Sequence, residues 1–222
     1  MKKHILCFGD SNTHGYCAEP WDCADGGVRF NEDERWTCLL AQALGPAYLV
    51  TEEGLGGRTT VFRDPLTEGL CGLDMISPLL LSHGPVDLLI LMLGTNDTKE
   101  RFGCTAECIS VGMERLITKA IHTEAWSHGR PNILLIAPPH ILDAMDTGPF
   151  AGVMGSGCVQ KSRELARFYE AVAHRRGCAF LDAQGLADLN ATDGMHLTQK
   201  GHRALARHLA ELVPALVDAH EK

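Results

Sequence analysis

The run Val-Asp-Leu-Leu-Ile-Leu-Met-Leu at residues 86–93 is apolar almost without interruption. A strand with one wet face alternates apolar and polar side chains. A strand that does not alternate has to be covered on both faces, as in the middle of a parallel sheet flanked by helices. Four more runs of strand length occur, at 5–8, 48–51, 132–137 and 178–181. Between them lie stretches with apolar residues recurring at three and four, at 35–44, 104–125 and 162–175, with a last one at 198–219. Alternation of strand and helix predicts a three-layer α/β/α sandwich with a central five-stranded parallel sheet, the 86–93 run in its middle.

At 222 residues the chain suits one domain spanning 1–222, with no linker, repeat or composition break. Its net charge of −8 is spread along the sequence, and its basic residues form no run, which argues against nucleic acid as a partner. No apolar run approaches the roughly 20 residues of a membrane span, and the short run at 5–8 is too brief for a signal-peptide core. A cytoplasmic protein without membrane association is therefore expected. The nine cysteines are odd in number and contain no Cys-x-x-Cys pair, which points to free thiols rather than a disulfide framework. Cys104 and Cys108 would need two further ligands to hold zinc, so no metal is expected.

Polar motifs follow the strand candidates. Gly9-Asp10-Ser11 comes directly after the first, where open α/β sheets bind their ligands; Ser11 there is either a nucleophile or part of a helix cap. Gly54-Leu55-Gly56-Gly57-Arg58-Thr59-Thr60 follows the second. Its glycines let backbone N–H groups approach an anion, but neither a dinucleotide fingerprint nor a Walker loop is completed. Gly94-Thr95-Asn96-Asp97 closes the 86–93 run, and the Asn96 amide could donate to a developing oxyanion without carrying charge. Asp193-Gly194-Met195-His196 precedes the last helix. An Asp three residues before a His can orient it as the base for a serine. Most other histidines, among them His83 and His202, read as surface residues.

These four blocks, in this order and across nearly the whole chain, resemble those of the SGNH (GDSL-type) hydrolases, and the flanking residues through Thr98-Lys99 resemble their arylesterase/acyltransferase subgroup. The resemblance implies a flavodoxin-like sheet and a carboxylic ester hydrolase that needs no cofactor. It implies Ser11 as nucleophile, His196 as base and Asp193 as its orienter. The oxyanion would be held by the N–H of Ser11, the N–H of Gly57 and the side chain of Asn96. Asn12 departs from the family's name-giving motif, which has Leu there.

Asn12, Tyr16, Phe150 and Met195 are the candidate substrate-binding residues, with Trp21, Phe62 and Met154 also expected near the mouth. The expected substrate is a small aryl or alkyl ester, with an acetylated sugar as the alternative and acyl transfer to an alcohol as a further activity. A non-catalytic module that holds an anion on its glycine turns is the reading from a different class. The long segment at 138–160 either walls the site or forms a subunit interface, and a homo-oligomer is expected.

Overall fold

Five parallel strands, β1 (Lys3–Gly9), β2 (Tyr48–Gly54), β3 (Leu88–Met92), β4 (Ile133–Ala137) and β5 (Ala179–Asp182), lie in the order β2-β1-β3-β4-β5 in a computed structural model that describes residues 1–221. That order is the flavodoxin-like one. Every residue of β3 is buried. Leu89 and Leu91, with Leu93 just beyond the strand, enter one apolar core; Leu88, Ile90 and Met92 enter another. The lack of alternation in the 86–93 run is thus the signature of its two covered faces.

Seven helices complete the layers: α1 (Ser11–His14), α2 (Trp36–Leu44), α3 (Gly72–His83), α4 (Ala106–Ile121), α5 (Ala151–Met154), α6 (Cys158–Arg176) and α7 (Gln199–Glu221). Ile76 and Leu80 of α3, Ile109 to Ala120 of α4 and Leu165 to Ala173 of α6 cover the first face. Trp36 and Leu40 of α2 and the Leu205, Leu209, Val213, Val217 stripe of α7 cover the second.

Three expectations need correction. Helix α3 was not expected, because Gly72 and Pro78 are local signals against a helix; burial of Ile76 and Leu80 overrides them. Helix α6 begins at Cys158, earlier than 162, after Gly157 in the left-handed region. The 138–160 segment is not irregular throughout: it contains a 3₁₀ stretch (Asp143–Thr147) and α5.

The loops at the carboxyl ends of the strands are tied to each other. Asp97, fully buried after β3, accepts the N–H of Thr60 at 2.9 Å and its hydroxyl at 2.5 Å, joining the loops that follow β2 and β3. Its second oxygen has no hydrogen-bond partner among the described residues. Burial pushes the carboxyl up to about 6, against the hydrogen bonds from Thr60. Gly94, where β3 leaves the sheet, has φ +126°, and a Cβ there would lie 2.5 Å from the Tyr169 hydroxyl that donates to the Leu93 carbonyl.

Two predictions follow from this packing. Gly94→Ala should cost about 2–4 kcal/mol and lower the melting temperature by roughly 5–15 °C in thermal circular dichroism. A carboxyl raised on folding favours the folded state below its unfolded pKa, and that contribution is lost as pH rises through the folded value. Asp97→Asn removes the titration, so from pH 4 to pH 7.5 its stability in urea unfolding should gain about 2.4 kcal/mol relative to the native chain.

Candidate active site

At the carboxyl end of β1 the chain turns into α1 through Asp10, whose side chain accepts the N–H of Asn12 at 3.0 Å and so caps the helix. The capping side chain is therefore that of Asp10, and Ser11 is presented at the first position of α1. As expected at a helix start, the Ser11 N–H has no acceptor among the described residues.

Ser11 Oγ lies 2.9 Å from Nε2 of His196, and Nδ1 of His196 lies 2.7 Å from Oδ2 of Asp193. The other oxygen of Asp193 accepts three further donors, the N–H groups of Met195 (2.9 Å) and His196 (3.1 Å) and the Asn190 amide (2.8 Å). Burial raises the Asp193 carboxyl, but the hydrogen bond and charge of His196, together with these N–H groups, outweigh it and bring it down to about 2. Asp193 is thus a fixed negative charge behind the imidazole. Asn190 also donates to the His196 carbonyl at 2.8 Å and accepts the Asp193 N–H at 2.9 Å, which folds 190–196 into one turn. An Asn three residues before the Asp, in Asn-Ala-Thr-Asp, is the sequence signal that could have found it.

Asn12, a candidate for substrate binding, does not line the cavity over Ser11. It is 2% exposed, and its amide bridges backward to the base loop: Nδ2 donates to the Met195 carbonyl at 3.1 Å, and Oδ1 accepts the Leu197 N–H at 2.9 Å. These two bonds bracket His196 on both sides. Behind Asn12, its own carbonyl accepts the indole N–H of Trp36 at 3.0 Å, and the Trp36 backbone N–H donates to Nδ1 of His202 at 3.2 Å. His202 is fully buried rather than on the surface. Burial, with the nearby charges of His196 and Arg35, lowers it to about 3 and leaves it a neutral acceptor. His83 is half-buried and meets Glu53 at 2.8 Å.

A cavity of about 320 Å³ opens over Ser11 and His196. Gly57 and Asn96 line it, as do Tyr16, Phe150, Met154 and Met195. The Tyr16 and Phe150 rings stand 4.4 and 5.7 Å from the imidazole, and the 138–160 segment, through Phe150 and α5, walls the site. Trp21 is exposed and Phe62 stacks on Phe102; neither lines the cavity.

Gly57 has φ +85°, and its N–H, like that of Ser11, has no acceptor among the described residues. Asn96 Nδ2 donates to the Arg58 carbonyl at 3.2 Å, and its only other contact is a long 3.5 Å approach to Asp10. Asp10 is pushed by burial up to about 6, against the Asn12 N–H and the positive charges around it. Arg58 lies over the Phe8 ring and donates to the carbonyls of Gly9 and Glu53, joining the ends of β1 and β2 beneath the cavity. Sequence spacing assigned no role to Arg58, nor to Asp64, Lys99 and Arg101, which form a polar wall.

A larger hollow, of about 810 Å³, lies at the amino ends of the strands near His4 and Pro85, away from this constellation. Among the described residues no group of three or more His, Cys, Asp or Glu could hold a metal ion, and no helix is long and apolar enough to cross a membrane.

The model of the GDSL-like lipase/acylhydrolase family matches residues 7–204. Among solved structures, the aryl esterase of M. smegmatis is 40% identical over 96% of this chain and 99% of its own, with a TM-score of 0.86. A carbohydrate acetylesterase from Sinorhizobium meliloti is 34% identical over 97% and 100%, with a TM-score of 0.87. No curated protein matches the chain in sequence. A serine hydrogen-bonded to a histidine at the carboxyl edge of this sheet, under a family match covering most of the chain, leads to one assignment: the chain belongs to the GDSL-like lipase/acylhydrolase (SGNH) family and is a carboxylic ester hydrolase.

Proposed function

We propose that the chain hydrolyses small acyl esters through an acyl-serine intermediate on Ser11. The observation that carries this reading is the hydrogen-bonded line Ser11–His196–Asp193 along one side of the cavity. Ser11 Oγ attacks the ester carbonyl carbon as its proton passes to His196 Nε2, and the carbonyl π pair moves onto oxygen. The resulting oxyanion is held by the N–H groups of Ser11 and Gly57, which have no acceptor among the described residues, and by the Asn96 amide, which shares its donors with the Arg58 carbonyl and Asp10. Collapse of the intermediate breaks the ester C–O bond, and His196 returns the proton to the leaving alcohol. Water, with His196 again as base, then releases the acid. An alcohol in place of water completes acyl transfer. Asp193 keeps its charge throughout and steadies the imidazolium.

The apolar rings beside the imidazole and the volume of the cavity suit an aryl or short alkyl ester, the reading that the M. smegmatis relative also favours. The acetylated sugar is the second reading, favoured by the polar residues Asp64, Lys99 and Arg101 in the cavity lining and by the Sinorhizobium relative. Comparing kcat/KM on phenyl acetate with that on acetylated xylose oligomers decides between them: a strong preference for the oligomers overturns the aryl-ester reading.

In this mechanism Asn12 is a positioning residue. Its amide ties the base loop to the residue after the nucleophile, so that the 2.9 Å Ser11–His196 contact is held by the backbone on either side of His196.

Two substitutions test the mechanism. Ser11→Ala should lower kcat on p-nitrophenyl acetate by on the order of 10⁵-fold with an unchanged circular dichroism spectrum; undiminished turnover would exclude acyl-serine chemistry. Asn12→Leu leaves the Met195 carbonyl and the Leu197 N–H without partners. It should cost about 2 kcal/mol in urea unfolding and reduce kcat roughly tenfold while KM changes little.

A further inference from the structure

The cavity that the Tyr16 and Phe150 rings line is also lined by a buried ammonium that the mechanism above does not use. Lys99 is 5% exposed, lines the cavity, and has as its nearest partner Oδ2 of Asp64 at 3.8 Å, beyond hydrogen-bond distance. Asp64 is already engaged. Its Oδ1 accepts the Leu66 N–H at 2.9 Å and Nε of Arg101 at 3.2 Å, and its Oδ2 accepts the second Arg101 nitrogen at 2.8 Å. Arg101 in turn donates to the Val153 carbonyl at 2.7 Å, so this pair holds the wall in place without using Lys99. An ammonium has three N–H donors, and leaving them without acceptors inside a protein is costly. The Lys99 ammonium makes no hydrogen bond to any described residue; only its backbone does, with Asn96 and Phe102.

The charges around Lys99 decide what kind of acceptor suits it. Burial lowers the Lys99 ammonium, as does the charge of Arg101, while Asp64, Asp10 and Asp97 act to raise it, with Arg58 compensating Asp10. Once the aspartates are ionised, three negative groups face three positive ones, Lys99 included. A substrate carboxylate would add a fourth negative charge to three buried aspartates. A neutral oxygen supplies the missing acceptor without disturbing the balance. Thr67 and Thr95 line the same cavity.

We propose that Lys99 is a specificity-determining residue that donates hydrogen bonds to a neutral ether, hydroxyl or carbonyl oxygen on the substrate, so that the site prefers oxygen-bearing esters over hydrocarbon esters of the same shape. This rests on the acyl-serine reading of Ser11. The apolar rings take one side of the substrate and the ammonium reads the other.

Two matched pairs test the preference on either side of the ester bond: p-nitrophenyl methoxyacetate against p-nitrophenyl butyrate, and 2-methoxyethyl acetate against butyl acetate. Each pair exchanges one CH₂ for oxygen. Dividing the kcat/KM ratio of each pair by its ratio of hydroxide-catalysed rates removes intrinsic reactivity. The expected corrected ratio is about tenfold or more for at least one pair, the effect of one hydrogen bond to a charged donor. In Lys99→Met that ratio should fall to near one, mainly through KM, with the hydrocarbon ester hydrolysed within about threefold of the native rate.

Corrected ratios near one for both pairs in the native chain overturn the proposal, and this holds whether or not the variant folds. So does an equal loss on both members of each pair in Lys99→Met, which would make Lys99 a counter-ion for Asp64 alone. Faster turnover of p-nitrophenyl hydrogen succinate than of the methoxyacetate overturns the neutral acceptor. Native turnover of p-nitrophenyl butyrate that is lost in Ser11→Ala shows that the catalytic reading stands even where the preference fails.

Discussion

Burial of β3 on both faces is the constraint on which the rest depends. A strand whose neighbouring residues enter two different cores can lie only between two helical layers, and its loops can emerge only at the ends of the sheet. All the strands being parallel, the turns after β1, β2 and β3 leave from one edge and meet there. Ser11, Gly57 and Asn96 belong to those three turns. The chemistry is therefore gathered by topology first, and by side-chain contacts only afterwards.

Those contacts are polar and nearly all buried, which makes their completeness matter more than their number. Asp193 is surrounded by four donors, Asn12 uses both ends of its amide, and Asp97 spans two loops. Groups without partners stand out against this background. The second oxygen of Asp97 and the far nitrogen of His202 are enclosed in protein and have no hydrogen bond among the described residues. Lys99 is different, because it lines the cavity and can be completed by what enters it.

That Ser11, Gly57, Asn96 and the Asp193–His196 pair come together was legible in the sequence, because all lie in turns that polarity and glycine mark out after strands or before the last helix, with the choice of Gly57 over Gly56 resting on the family resemblance. Residues whose roles depend on side-chain direction were not. Asn12 reads as a neighbour of the nucleophile, and nothing in its spacing says that its amide points back to Met195 and Leu197. His202 has polar neighbours in sequence, yet it stands three residues before Leu205 and seven before Leu209, on the inward stripe of α7; helical period rather than local polarity held the signal. Helix α3 was hidden by Gly72 and Pro78, whose unfavourable local preferences are overcome by burial that only the folded chain supplies. Asp64, Lys99 and Arg101 meet through tertiary placement of separate turns, which no single stretch of sequence encodes.

The bond between Ser11 and His196 joins residues 185 positions apart. A chain made from its amino end presents its serine early and its base almost last, and α7 must still dock before the two meet. On the proposed mechanism the serine has until then no partner to take its proton, and the growing chain is chemically quiet. Activity by that route is an attribute of the finished fold: a sample that turns over ester through Ser11 has closed its sheet and seated its last helix.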